Sequence, residues 1–545
     1  MPFERVLVAN RGEIALRVFR SCRVLGAEVV AVYAPDDARS LHVRDADRAI
    51  EITGYLHAEE HVRAAQEAGA DAIHPGYGFL AESADFAEVV EAAGLTWIGP
   101  PPEALRLGGD KLAAKRIAVE ANVPVLPDGA PEVVGFPLVV KAAAGGGGRG
   151  MRVVRSGDDL AEALAAAERE AKGAFGDGTL YCERYLERPR HVEVQLLADS
   201  HSNVVALGER DCSVQRRHQK ILEEAPAPRL DGALRSAMHD AAVAFGRAIG
   251  YRSAGTVEFV VQDGAFFFLE LNGRIQVEHP VTEAVTGLDL VAEQLRIATG
   301  EPLAPHAPES SGHAIEVRLY AEDPHTFLPQ TGRIERLRLP SEGSRGTGTI
   351  RVDTGVEQGD EIGLAYDPMI AKLIAHGRDR AGALAVLGAA LAETEVSGVT
   401  TNLPFLRWLV GHPVVDAGHA TTAFLIEHPP LSPVPLRPTR QPWGEPWRLN
   451  LPAPSPASPP DLDIESHRHT AGPAQSIVTA PMPGTVIGVE VAAGDVVQAR
   501  EPLVVLEAMK MEIPVHSPFD GTVKAVHVAP GDRVAGGTVL VELEA

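Results

Sequence analysis

The chain has 545 residues, of which 45% are hydrophobic and 23% charged. At roughly 150 residues per domain that length holds three or four domains, and the composition excludes pervasive disorder. The 50 basic and 74 acidic side chains leave a formal charge of −24, which repels phosphate backbones and argues against nucleic acid as a partner. No apolar run reaches the ~18 residues that a membrane-spanning helix needs, so no membrane partner is expected. The chain enters a strand-like run at once, without the charged, apolar and cleavage regions of a secretory signal. Its three cysteines, Cys22, Cys182 and Cys212, are widely spaced and form no CxxC pair. That fits a reduced, cytoplasmic setting.

Residues 1–100 alternate strand and helix patterns, with apolar runs at 6–9, 28–33 and 71–74 and helical periodicity over 12–25. That order predicts a parallel α/β sheet with right-handed crossovers. Residues 136–141 and 151–154 read as two strands around a glycine-rich loop, followed by a capped amphipathic helix over 156–174. Residues 256–261 and 266–271 read as a hairpin turning at Asp263 and Gly264. Helical patterns follow at 283–298 and 379–393. Residues 429–460 hold 12 of the chain's 42 prolines, a composition that feeds neither helix nor sheet. They read as a tether, with Trp443 and Trp447 able to dock on a neighbour.

From about residue 476 the chain repeats itself at an offset of 37, and residues 481–507 agree with 518–544 at 14 positions. Pro481, Gly484, Asp495, Leu503 and Glu507 are among them. Both copies carry short β-patterned runs and a Gly-Asp turn, so the simplest structure is two matching β-layers closed into one small sandwich. The turn between the copies projects from one end and carries Glu507-Ala508-Met509-Lys510-Met511-Glu512. An exposed lysine is ordinarily no more than solvated. Two methionines flanking it at a turn tip point instead to a surface that a modifying enzyme docks on.

Lys141 stands at the strand end before a glycine run, with Ala142 to Ala144 leading into Gly145 to Gly148, then Arg149 and Gly150. Glycine lets backbone N–H groups approach phosphate oxygens closely. No Gly-Lys-Ser/Thr follows, and a strand comes next, which excludes a P-loop and a dinucleotide fingerprint. A bare hairpin loop is the alternative, and Lys141 favours phosphate. In the later hairpin, a three-residue turn with a bulge sets Glu258 opposite Glu270, whereas a strict two-residue turn pairs Glu258 with Leu269. Facing carboxylates repel unless a cation lies between them, and hard oxygen ligands suit Mg²⁺. Two solvated carboxylates are the alternative, which Phe259, Phe266, Phe267 and Phe268 disfavour.

The Met509-Lys510-Met511 tip in a duplicated β-domain resembles the biotinylation site of a biotin carboxyl carrier domain. The glycine loop and paired carboxylates resemble those of ATP-grasp enzymes. Together with Asn10-Arg-Gly-Glu-Ile14, His74-Pro-Gly-Tyr-Gly-Phe79, the polar segment from Glu209 to Lys220 and the run from Asn272 to Pro280, they make residues 6 to about 425 resemble biotin carboxylase. The resemblance implies a multidomain α/β protein. Its parts are an N-terminal parallel α/β domain at 1–110, an ATP-grasp domain at 111–310, a mixed α+β C-terminal lobe at 311–428, a Pro-rich linker at 429–474 and an all-β flattened-sandwich biotinyl domain at 475–545. It also implies ATP- and bicarbonate-dependent carboxylation, through carboxyphosphate, of biotin joined by an amide to Lys510. By motif position, Lys111, Lys141, Gly147 and Gly148 would hold the ATP phosphates, and Glu183, Leu186, His191, Gln215 and His218 would line the nucleotide site. Glu258, Glu270 and Asn272 would hold Mg²⁺ or Mn²⁺. Lys220, Arg274, Gln276 and Val277 would hold bicarbonate, Glu278 would deprotonate it, and Arg351 would stabilise the biotin enolate.

Three features depart from the family pattern. Ala144 stands where the glycine run usually starts with glycine, and Gly273 where threonine is usual. The short stretch 124–135 predicts that a helix before the Lys141 strand is missing. No carboxyltransferase segment is visible, so the layout resembles the α subunit of bacterial acyl-CoA carboxylases. A separate carboxyltransferase β subunit, a biotin protein ligase and a homo- or hetero-oligomeric assembly are then the expected partners, with acetyl-CoA or propionyl-CoA as acceptor. A split pyruvate carboxylase is one alternative. A carrier with an inactive scaffold is another, disfavoured by the intact set Lys220, Arg274, Glu278 and Arg351.

Overall fold

The computed structural model describes residues 3–142, 151–175, 177–216, 219–304, 306–346, 348–363, 365–432, 477–480, 484–498, 501–508, 511–534 and 537–544. Ala144, Gly147, Gly148, His218, the linker with Trp443 and Trp447, Met509 and Lys510 lie outside the described residues. The chain divides into two compact units, one built from most of residues 1–432 and one containing the strands from Ile477 onward. Among the described residues no helix is long and apolar enough to cross a membrane. All three cysteines are free and buried.

The first unit opens on a five-stranded parallel sheet, in the order Arg48–Glu51, Glu28–Tyr33, Arg5–Val8, Ala72–His74 and Thr96–Trp97. Val6, Leu7 and Val8 are fully buried, because a central parallel strand is covered on both faces. The two edge strands were not legible: Arg48-Ala-Ile-Glu51 is polar and mostly exposed, and Thr96–Trp97 is only two residues long. Gly12–Val24 forms the first crossover helix, burying Ile14, Ala15, Val18, Phe19 and Cys22 at helical spacing.

A four-stranded sheet follows, in the order Asp128–Gly129, Leu180–Arg184, Leu138–Ala142 and Arg152–Val154. Helix Leu160–Phe175 packs on it over Leu138, Val140, Val154, Ala167 and Cys182. The expected loss of a helix before the Lys141 strand needs correction. A single turn, Pro131–Val134, survives there, started by proline at its first position and ended by Gly135 at φ +71°.

The largest layer is a nine-stranded sheet with antiparallel neighbours throughout. It runs Ala265–Asn272, Ser253–Gln262, Arg190–Ala198, Val204–Arg216, Gln219–Ala225, His313–Tyr320, Met369–Gly377, Gly348–Thr354 and Gly343–Arg345. It passes without a break through the boundary expected at 310/311. Helix Gly232–Ala248 covers one stretch of it through Met238, Ala242 and Phe245. Helices Arg380–Glu393 and Leu403–Val410 bury Leu387, Leu391, Phe405 and Leu406 against the other. The expected helix over 283–298 is two helices, His279–Thr286 and Leu290–Ala298. Gly287 ends the first in the left-handed region at φ +73°, and Asp289 caps the second by accepting from the Ala292 N–H at 2.9 Å.

The second unit is a sandwich of two four-stranded sheets. One runs Met511–His516, Pro502–Ala508, Gly484–Val489 and Arg533–Val534, the other Ile477–Thr479, Val539–Glu544, Gly521–Val526 and Val496–Val497. Each repeat therefore lends its short strand to the sheet of the other. The core follows the same offset, with Val478 and Val515, Val486 and Val523, Val497 and Val534, Leu503 and Leu540, and Leu506 and Leu543 all buried. Such a side chain contributes roughly 1.5–3 kcal/mol when fully buried. The Gly-Asp turns also match: Asp495 accepts from the Ala492 N–H and Asp532 from the Ala529 N–H, each at 2.8 Å. Ala508 pairs with Met511 across the antiparallel strands Pro502–Ala508 and Met511–His516.

Candidate active site

The 253–272 hairpin fixes the two glutamates that the sequence left in two registers. Its turn has two residues, because Gln262 pairs with Ala265, with Asp263 and Gly264 at positive φ as a type I′ turn requires. The bulge lies further along, where Leu269 is left without a partner between Phe268 and Glu270. Glu258 therefore faces Glu270, by a two-residue turn plus a strand bulge rather than by a three-residue turn.

Five strands and one loop then bring buried charges together around Glu258. Its Oε1 accepts from Lys220 Nζ at 2.8 Å, Asn272 Nδ2 at 2.7 Å and Gln276 Nε2 at 2.9 Å, and its Oε2 lies 2.9 Å from His191 Nε2. Lys220 Nζ donates at the same time to Glu193 and, at 2.6 Å, to Glu278 Oε1. Glu278 is held from the other side by Arg318, whose Nη2 donates to Oε2 at 2.9 Å. Burial alone would strip the proton from Lys220, but Glu193, Glu258 and Glu278 outweigh it and raise the ammonium well above the usual lysine range. Burial would likewise protonate Glu278, but Lys220 and Arg318 hold its carboxyl below the usual range. The site thus keeps an ionised glutamate, 2% exposed, inside the protein at neutral pH.

Glu270 behaves in the opposite way. Burial and the charge of Glu258 push its carboxyl up, with Lys111 opposing. A cation between two facing carboxylates relieves that penalty, and the all-oxygen set of Glu258, Glu270 and the Asn272 carbonyl suits a hard ion such as Mg²⁺. The residues present therefore fit the metal. Burial lowers the His191 imidazole, but Glu258 and Glu193 together outweigh it and raise it to about 9.

A second cluster lies on the four-stranded sheet. Lys115 Nζ donates to Glu183 Oε1 at 2.7 Å, and Lys141 donates to Glu183 Oε2. Lys111 opens the helix Lys111–Glu120, and burial lowers its ammonium while Glu270 and Glu183 raise it, so it stands between the two clusters. Leu186 follows the Leu180–Arg184 strand and is half-buried. Gln215 pairs in register with Lys220 and donates to the Cys212 carbonyl at 2.9 Å.

The loop after the hairpin carries the remaining residues. Arg274 donates to Asn272 Oδ1 at 2.9 Å and lies 3.2 Å from Glu82. Gln276 Oε1 accepts from the fully buried Arg210 at 2.7 Å, and the Val277 carbonyl accepts from Lys372 at 2.9 Å. Arg351 stands apart from the Glu278 cluster. Its Nη1 donates to Glu283 at 2.7 Å and its Nε and Nη2 grip both oxygens of Asp353, so three of its five N–H groups are engaged.

Glu82, Lys115, Glu193, Arg210, Glu283, Arg318, Asp353 and Lys372 were not singled out from the sequence, although Arg210 lies within the polar 209–220 segment. The others stand alone in apolar or ordinary surroundings, and a buried charge inside an apolar strand was the only available signal.

The Gly273 departure has a steric reason. A Cβ built there meets Leu105 Cδ2 at 2.8 Å, so a leucine tip occupies the space that a side chain would take. Gly273→Thr is expected to cost about 1–3 kcal/mol by overpacking, with part recovered by Leu105→Ala in the same chain. Urea unfolding of the single and double variants measures both.

Comparison with known proteins gives a consistent picture. Residues 2–105 match the biotin carboxylase N-terminal domain, 111–306 the carbamoyl-phosphate synthase L chain ATP-binding domain, 316–427 the biotin carboxylase C-terminal domain and 476–543 the biotin-requiring enzyme domain. The chain is 44% identical to the biotin-dependent acyl-coenzyme A carboxylase alpha3 subunit of Mycobacterium leprae, over 94% of both chains. It is 48% identical to the biotin carboxylase of Halalkalibacterium halodurans over 78% of this chain and 98% of that one. It is 50% identical to the mitochondrial methylcrotonoyl-CoA carboxylase subunit alpha of Oryza sativa over 77% of its length, and spans 60% of that longer protein. Among solved structures, the Campylobacter jejuni biotin carboxylase β,γ-ATP complex superposes at a TM-score of 0.76 with 40% identity, over 78% of this chain and 99% of that one. The biotin carboxylase domain of Hydrogenobacter thermophilus 2-oxoglutarate carboxylase, solved with MgADP and bicarbonate, superposes at 0.75 with 44% identity, over 78% and 98%.

Proposed function

Because the chain belongs to the biotin carboxylase family and carries a biotinyl domain on the same polypeptide, we propose that it is the biotin-carboxylating and biotin-carrying subunit of an acyl-CoA carboxylase. The observation that carries this reading is the buried Glu278 carboxyl, fixed at 2.6 Å from Lys220 and 2.9 Å from Arg318. Bicarbonate is a poor nucleophile, and a buried carboxylate beside it takes its proton as its oxygen attacks the γ-phosphorus of ATP. Carboxyphosphate forms and ADP leaves. Lys220 and Arg274 hold the anions in place, and the fixed cations need no reorganisation as charge develops. Lys111, Lys115 and Lys141 bind the nucleotide phosphates beside Glu183, with Leu186, His191 and Gln215 around them. Glu258, Glu270 and Asn272 would hold Mg²⁺, which would supply charge screening of the phosphates. Lys510 would carry biotin, whose ureido nitrogen would take CO₂ from carboxyphosphate with phosphate leaving as the acceptor of the ureido proton, and Arg351 would offer its two remaining N–H groups to the ring oxygen.

We place the domain boundaries at 110, 310, 428 and 474, with the nine-stranded sheet shared across the one at 310, and the 429–474 linker would deliver the biotinyl domain at high local concentration. A carboxyltransferase subunit then passes CO₂ to acetyl-CoA or propionyl-CoA. The M. leprae relative, similar over nearly the whole of both chains, supports the acyl-CoA acceptor.

ATP turnover that depends on bicarbonate and rises with free biotin tests the carboxylase. Mass spectrometry of protein made beside a competent biotin ligase tests the carrier. Lys510→Ala should lose the biotin mass while keeping turnover of free biotin; loss of both contradicts the division of labour. Co-purification of a carboxyltransferase, followed by assay with acetyl-CoA, propionyl-CoA and pyruvate, tests the acceptor.

A further inference from the structure

Lys372 is fully buried, at 0% exposure, in the strand Met369–Gly377. In register it faces Arg318 on one neighbouring strand and Asp353 on the other. The row Arg318, Lys372, Asp353 therefore crosses three strands on one face of the sheet. Each member holds a different part of the active site. Arg318 donates to Glu278 at 2.9 Å. Asp353 grips Arg351 through both oxygens. Lys372 donates to the Val277 carbonyl at 2.9 Å, one residue before Glu278. Its Nζ also lies 3.1 Å from Glu13 Oε1 on helix Gly12–Val24 and 3.7 Å from Asp353 Oδ2.

A buried ammonium is costly, and no nearby hydrophobic function explains it. Burial works against its charge, while Glu13, Glu316 and Asp353 support it and Arg351 opposes it. An apolar side chain would serve the core of the sheet without that cost. What the ammonium adds is a fixed donor to the backbone of the Val277–Glu278 segment and a cation behind the carboxylate that orients Arg351.

We propose that Lys372 is a positioning residue for carboxylation, tying the backbone that presents Glu278 to the Asp353–Arg351 pair so that the base and the arginine stay in a fixed relation. This rests on the reading of Glu278 as the base and Arg351 as the biotin-facing cation. Lys372 touches no substrate in that reading. It acts through Val277 and Asp353, as an outer partner orients a ligand-bearing group.

The test compares the full-length wild type with Lys372→Met and Lys372→Arg in steady-state ATP turnover, varying bicarbonate, MgATP and free biotin in turn. Circular dichroism and thermal melting report folding. Lys372→Met is expected to raise KM for bicarbonate and to lower free-biotin-dependent turnover, each about 10–100-fold. KM for MgATP should stay within about twofold, because Lys141, Lys115 and Glu183 sit on another sheet. Lys372→Arg keeps the cation and should recover part of the loss. Should Lys372→Met not fold, Lys372→Arg is judged by the same split, at smaller amplitude. Unchanged bicarbonate and biotin kinetics in a folded variant overturn the inference, as does an equal rise in KM for MgATP, which marks general loosening. Absence of bicarbonate-dependent turnover in the wild type overturns the functional reading and this inference with it. An active wild type beside an unaffected variant overturns the inference alone.

Discussion

Glu278→Gln is expected to leave the protein folded and able to bind ATP while lowering bicarbonate-dependent ATP turnover by a factor on the order of 10²–10⁴. The amide keeps the shape of the side chain and can still accept from one neighbour. It has no charge with which to take the bicarbonate proton. It also leaves Lys220 with two carboxylates instead of three and takes from Arg318 the partner at 2.9 Å. The neighbouring Glu193 and Glu258 still compensate Lys220, so stability should fall much less than activity. Equilibrium dialysis with ATP and a coupled ADP assay separate the two effects. Turnover within a few fold of the parent would remove Glu278 from the role of base.

Lys220→Met is expected to damage both activity and stability. The ammonium is the shared partner of Glu193, Glu258 and Glu278, all of them 4% exposed or less. Removing one member of a buried ionic cluster costs about 3–5 kcal/mol, because the charges left behind stay desolvated. Lys220 holds all three carboxyls down, so without it they move up and part of the cluster takes protons at neutral pH. Loss of that proton binding on unfolding makes the variant less stable as pH rises through the raised carboxyl range, a steeper trend than in the parent, where Glu223 and Glu270 are already raised. Guanidinium melts at pH 5.5 and pH 7.5 measure it. A variant as stable as the parent at both pH values would show that the lysine is not what neutralises the cluster.

Local signals made much of the protein legible. An apolar run between turn residues places a strand whatever lies above it, so Glu28–Tyr33 appears with the expected bounds. The Asp263-Gly264 pair specifies its own turn, since both residues accept positive φ. The 37-residue repeat shows in the core because the same buried valines and leucines recur at that spacing. Where local signals were weak the reading fell short. Arg48–Glu51 is polar because it is a sheet edge, and the helix over 283–298 breaks at Gly287, a residue compatible with continuing the pattern.

By itself the sequence determined the central apolar strands, the duplicated β-unit, and the residue types available for binding phosphate, bicarbonate and a hard cation. Those depend on neighbours a few positions away. Only the tertiary structure decided that the bulge at Leu269 sets Glu258 against Glu270, that Arg318 and Lys220 hold the Glu278 carboxyl down, and that Lys372 reaches both the Val277 carbonyl and Asp353. The reason is electrostatic: what a buried carboxylate can do is set by the charges within a few ångströms, and here those come from strands far apart in the chain.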